Sequence, residues 1–222
     1  MGKTKDLIAN NGGTCTFLFK DDACGEDGVF NPGANEVGLK IDGMGRASLL
    51  LSQHFFSILK ENGVPSHFIS ADVEKGSMDC QYLNILPVEF IWRSKAWGSF
   101  CKMYGVEQGL ILNGLIEATL KDDALGDPRI NRDACIALGK LTAEQYEQCE
   151  QSTRRIGEIL YRELAKYDYE LIDFKVEFGT DSKGLVLLAD EISGGIWRIL
   201  GKDGKSVDPI ETAKKICGEY YK

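Results

Sequence analysis

The stretch Asp173-Phe174-Lys175-Val176-Glu177-Phe178-Gly179 places two carboxylates and an ammonium group at alternate positions. Side chains alternate across a strand, so Asp173, Lys175 and Glu177 share one face and Phe174, Val176 and Phe178 the other. The run that follows, Leu185 to Ala189, is apolar throughout and ends in Asp190-Glu191. A strand that apolar is buried on both faces, so the charges of its partner are expected to line a cleft rather than form a solvated surface. Two carboxylates and a lysine at a cleft suit Mg²⁺ and phosphate, because that cation takes hard oxygen ligands and keeps several waters.

The order Asp173, Lys175, Glu177, Asp190 is similar to the Asp-x-Lys-x-x-Asn, hairpin, metal-binding Asp order of protein kinases. The residues alone leave two readings open, a nucleotide–metal site and a structural hairpin. Other segments could bind anions. In Gly2-Lys3-Thr4-Lys5 a glycine beside two lysines lets backbone and ammonium groups approach phosphate, although exposed terminal lysines are common. Arg93 and Ser99, with the backbone amides between them, form a second candidate against the plainer reading of a strand end and loop. Arg198, near Gly194 and Gly195, is a third. Lys121 to Pro128 reads as an ordinary Asp/Gly/Pro turn. Gly43-Met-Gly45 lacks the last glycine and the βαβ frame of a dinucleotide fingerprint, and reads as a helix start. With two histidines and no partner nucleophile in view, Ser-His or Cys-His catalysis has little support.

The elements that must position these residues follow from pattern. Thr14 to Phe19 reads as a strand, and Asp22 to Gly38, rich in glycine, as a long loop or loose hairpin. Arg46 to Asn62 reads as a helix, ended by Gly63 and Pro65, and Gln81 to Trp92 as a strand. Beyond that the pattern turns helical. Thr142 to Gln145 is a capping box, followed by an Ile156, Leu160, Leu164 stripe. Two strands, Leu171–Phe178 and Leu185–Ala189, flank a polar turn, and Asp208-Pro209 starts a last helix with Ile210, Ala213 and Ile216 inward. Strands before helices indicate an α+β fold rather than a βαβ alternation.

The chain has 222 residues and a net charge of −8, with a pI near 4.9. An acidic surface repels a phosphate backbone, so nucleic acid is not an expected partner, and any phosphorylated ligand needs locally gathered cations. Seven cysteines without a Cys-x-x-Cys pair argue for a reducing compartment. Neither a signal core nor a membrane-length apolar run is visible. The expected setting is therefore cytoplasmic, with no membrane partner.

Several segments together resemble the SAICAR synthetase family: Gly2–Lys5, Phe19–Asp22, Pro87–Glu89, Arg93–Ser99, Ala124–Pro128, Asp173–Gly179 and Leu188–Ser193. The similarity runs nearly end to end, and the last two motifs in tandem are the specific ones. The resemblance implies a two-lobed α+β fold with ATP between the lobes, here divided as residues 1–87 and 88–222. It implies ATP-dependent joining of L-aspartate to the carboxylate of a carboxyaminoimidazole ribonucleotide through an acyl phosphate. Lys3 and Lys5 would lie over the nucleotide phosphates, Glu177 and Asp190 would hold Mg²⁺, and Lys175 would neutralise the transferred phosphoryl group. Arg93, Ser99 and Arg198 would hold the ribonucleotide phosphate. Lys121, Asp127 and Glu89 would lie near the reacting groups, with Asp173 as proton acceptor. A homodimer is a family-level expectation. The sequence departs from the common pattern at Ala96-Trp97-Gly98-Ser99, usually Ala-Ala-Gly-Ser, and at Ser193-Gly194-Gly195, usually Ser-Pro-Asp; a shorter branch of the family resembles the latter. A related ligase with another substrate, or a non-catalytic nucleotide-binding paralogue, are the competing readings.

Overall fold

A computed structural model describes residues 4–26, 29–30 and 37–218. It divides into two compact units: residues 1–84, 179–196 and 207–222 form the first, and residues 85–178 and 197–206 the second. The first crossing falls between Asn84 and Ile85, close to the 87/88 division expected from sequence. Residues 179–196 and 207–222, counted there with the second lobe, lie in the first unit.

In the first unit, β1 (Lys5–Ala9), β2 (Thr14–Phe19), β7 (Ser77–Gln81) and β6 (Phe68–Asp72) form an antiparallel sheet in the order β1-β2-β7-β6. Period-two alternation buries Cys15 and Phe17 on β2 opposite Cys80 and Met78 on β7. Helix α1 (Met44–Glu61) packs its Leu49, Leu51, Phe55, Phe56 and Leu59 stripe into this unit, all essentially inaccessible. Its start has no N-cap side chain; instead Asp21 accepts the Gly45 amide at 2.9 Å. Helix α5 (Pro209–Cys217) lies against α1 and is capped by Asp208, which accepts from Ile210 and Glu211. Its buried face starts at Pro209 and continues through Thr212, Ala213 and Ile216. Ile210, expected inward, is only half-buried, because the helical repeat that buries Ala213 and Ile216 also buries Pro209.

The glycine-rich stretch from Asp22 is not a loop throughout. Strands β3 (Asp22–Glu26), β4 (Val29–Phe30) and β5 (Val37–Lys40) make a small sheet in the order β4-β3-β5. The hairpin alternative is the one these antiparallel pairings agree with, although glycine is depleted in strands. Here Gly38 faces the Gly25 carbonyl so closely that a Cβ would lie 2.7 Å from its oxygen.

In the second unit, β8 (Asn84–Lys95) pairs with β9 (Ile111–Leu120), and β12 (Trp197–Leu200) pairs with β10 (Glu170–Thr180). The expected alternation on β10 is present. Phe174, Val176 and Phe178 are buried at 1–3% exposure, while Lys175 and Glu177 are half-buried on the opposite face. Strand β9 and the short β12 were not anticipated. Asn113 and Gly114 interrupt β9 with positive φ values of 52° and 79°, and this breaks the apolar alternation that marks a strand. Helix α2 (Ser99–Tyr104) connects β8 to β9, and a 3₁₀ turn (Asp123–Leu125) and α3 (Arg132–Ala137) lead from β9 to α4 (Ala143–Ala165). The α4 capping box is formed: Gln145 N donates to Thr142 Oγ1 at 3.1 Å, and Thr142 N donates to Gln145 Oε1 at 3.0 Å. Ile156, Ile159, Leu160 and Leu164 line its inner face. The remaining strand, β11 (Val186–Ala189), is buried at every residue and belongs to the first unit.

Candidate active site

Three clusters of charged side chains gather the residues singled out from sequence. The first lies in the second unit and is centred on Asp173. The pairing of β10 with β12 sets Asp173 opposite Arg198, after a register shift between Leu171 and Asp173. Arg198 holds both Asp173 oxygens, Nε to Oδ1 at 2.8 Å and Nη2 to Oδ2 at 2.6 Å. Arg93, whose side chain is 2% exposed, adds Nη1 to Oδ2 at 2.5 Å and Nε to Glu117 Oε2 at 2.6 Å. Arg129 also pairs with Glu117. Three guanidinium groups face two carboxylates, which leaves one positive charge in excess. Arg198 has the most exposed side chain of the three, at 23%. Gly98 is the first residue beneath it: a Cβ there would lie 2.3 Å from Arg198 Nη1. Ser99 follows, exposed, at the start of α2. Arg93, Ser99 and Arg198, expected to hold a phosphate, thus share one unit, and a side chain at position 98 would displace Arg198.

Asp173 was expected to accept a proton. Both its oxygens already accept from guanidinium groups, so the geometry suits it to fixing Arg93 and Arg198 instead.

The second cluster lies in the same unit. Lys175 Nζ bridges the two oxygens of Glu89 at 3.1 and 3.0 Å, and Thr119 Oγ1 donates to Glu89 Oε2 at 3.4 Å. Burial acts to lower the Lys175 pKa, but Glu89 first, then Glu177 and Asp127, outweigh it and raise the value, so the ammonium stays charged. Lys121 pairs with Glu177. Asp127, with φ of 48°, accepts the Asp122 amide at 2.9 Å. Glu89 is 4% exposed, and its engaged oxygens make it a support for Lys175.

The third cluster lies in the first unit. Lys5 is 7% exposed, and its Nζ pairs with Asp190 Oδ1 at 3.0 Å and with Glu191 Oε1. Burial works against its charge, yet Asp190 and Glu191 together raise its pKa above the ordinary lysine value. Ser193 donates to the other Glu191 oxygen, and the Gly195 amide donates to Ser193 Oγ at 3.1 Å. Lys5 was expected over nucleotide phosphates, and the structure gives it two internal carboxylates. Lys3 lies outside the described residues. Sequence reasoning gave no role to Glu191 or His67, both buried, or to Glu117, half-buried in the first cluster. The adjacent Asp190-Glu191 pair was the one available signal.

The donor chemistry fits a divalent cation. Among the described residues no group of three or more His, Cys, Asp or Glu is placed to hold a metal. Mg²⁺ commonly takes one or two carboxylates and completes its shell with waters and substrate phosphates; oxygens of that kind are present on Asp190 in the first unit and, separately, on Glu177 in the second.

A family model described as SAICAR synthetase matches residues 1–216. The chain belongs to the SAICAR synthetase family. Among relatives of that family, the phosphoribosylaminoimidazole-succinocarboxamide synthase of Clostridium tetani is 43% identical over 220 residues, 97% of this chain and 96% of the relative. That of Methanocaldococcus jannaschii is 31% identical, covering 98% and 87%. A solved SAICAR synthetase (Type-2) in complex with ADP superposes with a TM-score of 0.87 at 31% identity, covering 100% of this chain and 96% of that one. Within that family the chain differs from the common pattern at Ser193-Gly194-Gly195, and the structure gives the reason at Gly194. A Cβ there would lie 2.4 Å from Pro209 Cβ, so the glycine lets α5 close on the turn that carries Glu191 and Ser193.

Proposed function

We infer that this ligase joins L-aspartate to the carboxylate of 5-amino-1-(5-phosphoribosyl)imidazole-4-carboxylate, forming SAICAR, ADP and phosphate in purine biosynthesis. The observation that carries the reading is the charged face of β10, with Asp173 fixing two arginines and Lys175 held charged by Glu89, in a chain matched to the family over residues 1–216.

A carboxylate is a poor electrophile because its oxygen will not leave. Transfer of the γ-phosphoryl group of ATP to a carboxylate oxygen breaks the β–γ bridge, releases ADP and makes an acyl phosphate. The aspartate amine then attacks the carbonyl carbon, loses a proton, and expels phosphate. Such a sequence needs positioning and cations rather than a protein nucleophile. In this reading Arg198, Arg93 and Ser99 take the ribonucleotide phosphate. Lys175 faces the charge on the transferred group, and Lys121 and Asp127 lie beside the reacting groups. Lys3 and Lys5 serve the nucleotide side, Lys5 chiefly by holding Asp190 and Glu191. Glu177 and Asp190 are the carboxylates for Mg²⁺, which when bound would offset charge on the phosphate oxygens. No disulfide joins the seven cysteines, which favours a reducing, cytoplasmic setting, and no helix is long and apolar enough to cross a membrane among the described residues. A homodimer completes the proposal.

The test is ADP release by purified protein with Mg-ATP, aspartate and the imidazole ribonucleotide, each omitted in turn. Release that needs every component supports the assignment. Release sustained by another amine or carboxylate, but not by these, would give the chain a different substrate, and no release with retained ATP binding would remove the catalytic reading.

A further inference from the structure

His67 has no part in the chemistry above, yet it is 3% exposed and sits beneath Asp190. Its Nε2 lies 2.8 Å from the Asp190 carbonyl oxygen. A carbonyl can only accept, so Nε2 carries the proton and donates. The ring is pinned between Phe17 and Phe56, with centroids 5.6 and 5.7 Å away. Its backbone is pinned as well. The His67 amide donates to Leu188 O at 2.9 Å, Leu188 N donates to Pro65 O at 3.1 Å, and the His67 carbonyl accepts from Gln81 N at 2.8 Å. The donor is therefore fixed relative to β11, which leads into Asp190.

Asp190 has a φ of 63°, the left-handed region that non-glycine residues rarely occupy. That conformation ends β11 sharply, turning the carbonyl toward His67, while the carboxylate meets Lys5 at 3.0 Å and stays 30% exposed. A phenylalanine or leucine could fill the space between Phe17 and Phe56, but neither could donate to the carbonyl.

We propose that His67 is a positioning residue for the reaction: by its hydrogen bond to the Asp190 carbonyl it holds the left-handed backbone that presents the Asp190 carboxylate to the metal. This rests on the metal role given to Asp190 above. It is a role exerted through the backbone of a ligand rather than through contact with substrate.

The experiment is Mn²⁺ binding to the full chain in the presence of ADP, read from the free-ion paramagnetic resonance signal. ADP affinity without metal and the melting temperature are measured alongside. His67→Leu removes the donor, and its Mn²⁺ affinity falls about tenfold or more, as for other residues that orient metal ligands. ADP affinity without metal is unchanged. His67→Gln can place an amide N–H near the same point and recovers most of the affinity, whereas His67→Asn is too short to reach and does not. The Gln–Asn pair carries the test if the leucine variant fails to fold. Equal Mn²⁺ affinity in the wild type, His67→Leu and His67→Asn would overturn the proposal, as would Gln and Asn variants that are equally weak. Asp190→Asn is the control. If it leaves Mn²⁺ binding intact, the metal reading itself falls and the role of His67 with it. If it abolishes binding while His67→Leu does not, only the His67 proposal falls.

Discussion

Arg198 reaches Asp173 over a residue that has no side chain. A methyl group on Gly98 would occupy the space of the Nη1 nitrogen, so Gly98→Ala should raise the Michaelis constant for the ribonucleotide about tenfold or more and leave that for ATP unchanged, as steady-state kinetics would show. Asp190→Asn keeps the shape of the side chain but removes its charge. It should lower kcat by at least about 10²-fold while the circular dichroism spectrum stays that of the wild type. Lys5 distinguishes two roles. With its ammonium buried between Asp190 and Glu191, Lys5→Met leaves two carboxylates without their cation, a loss of about 3–5 kcal/mol and a melting temperature lower by about 10 °C. A lysine acting only on nucleotide phosphate would instead change the Michaelis constant for ATP at constant stability. At this scale the sequence was legible where chemistry repeats along a strand, as in Asp173, Lys175 and Glu177. It was not legible where the partner comes from far along the chain. Nothing near Glu117 or His67 in sequence announces Arg93 or the Asp190 carbonyl, because burial and register make those contacts.

Helix α4 announced itself through its capping box and apolar stripe, and the structure keeps both. Thr142→Ala should therefore cost about 1 kcal/mol in urea unfolding, with ADP release at room temperature unaltered because the cap lies on no charged cluster. Strands were harder to read. β10 showed a clean alternation, but its partner β12 is four residues long, and the register that sets Asp173 against Arg198 depends on a shift between Leu171 and Asp173. A one-residue slip would turn every side chain to the other face, and no feature of the local sequence specifies where such a shift falls. In β9 the positive φ at Asn113 and Gly114 broke the pattern in the same way.

For the molecule as a whole, strands grouped before helices correctly indicated an α+β fold, and the structure matches that of SAICAR synthetases. The interleaving of the two units was not legible. Segment 179–196 returns to the first unit and brings Asp190 and Glu191 to Lys5, while segment 197–206 goes back to the second with Arg198. That path follows from long-range burial, such as the fully buried β11, rather than from composition. A net charge of −8 also makes the local cations matter, since the bulk of the surface repels three phosphorylated or carboxylated substrates.

In the proposed reaction ATP activates the imidazole carboxylate by phosphorylating it, so that an amine can displace phosphate. The most direct measurement is one turnover of the ribonucleotide labelled with ¹⁸O in its carboxylate, with Mg-ATP and aspartate, followed by mass analysis of the released phosphate. An acyl phosphate predicts one ¹⁸O in each phosphate, together with the succinocarboxamide product. Product formed with unlabelled phosphate would contradict it.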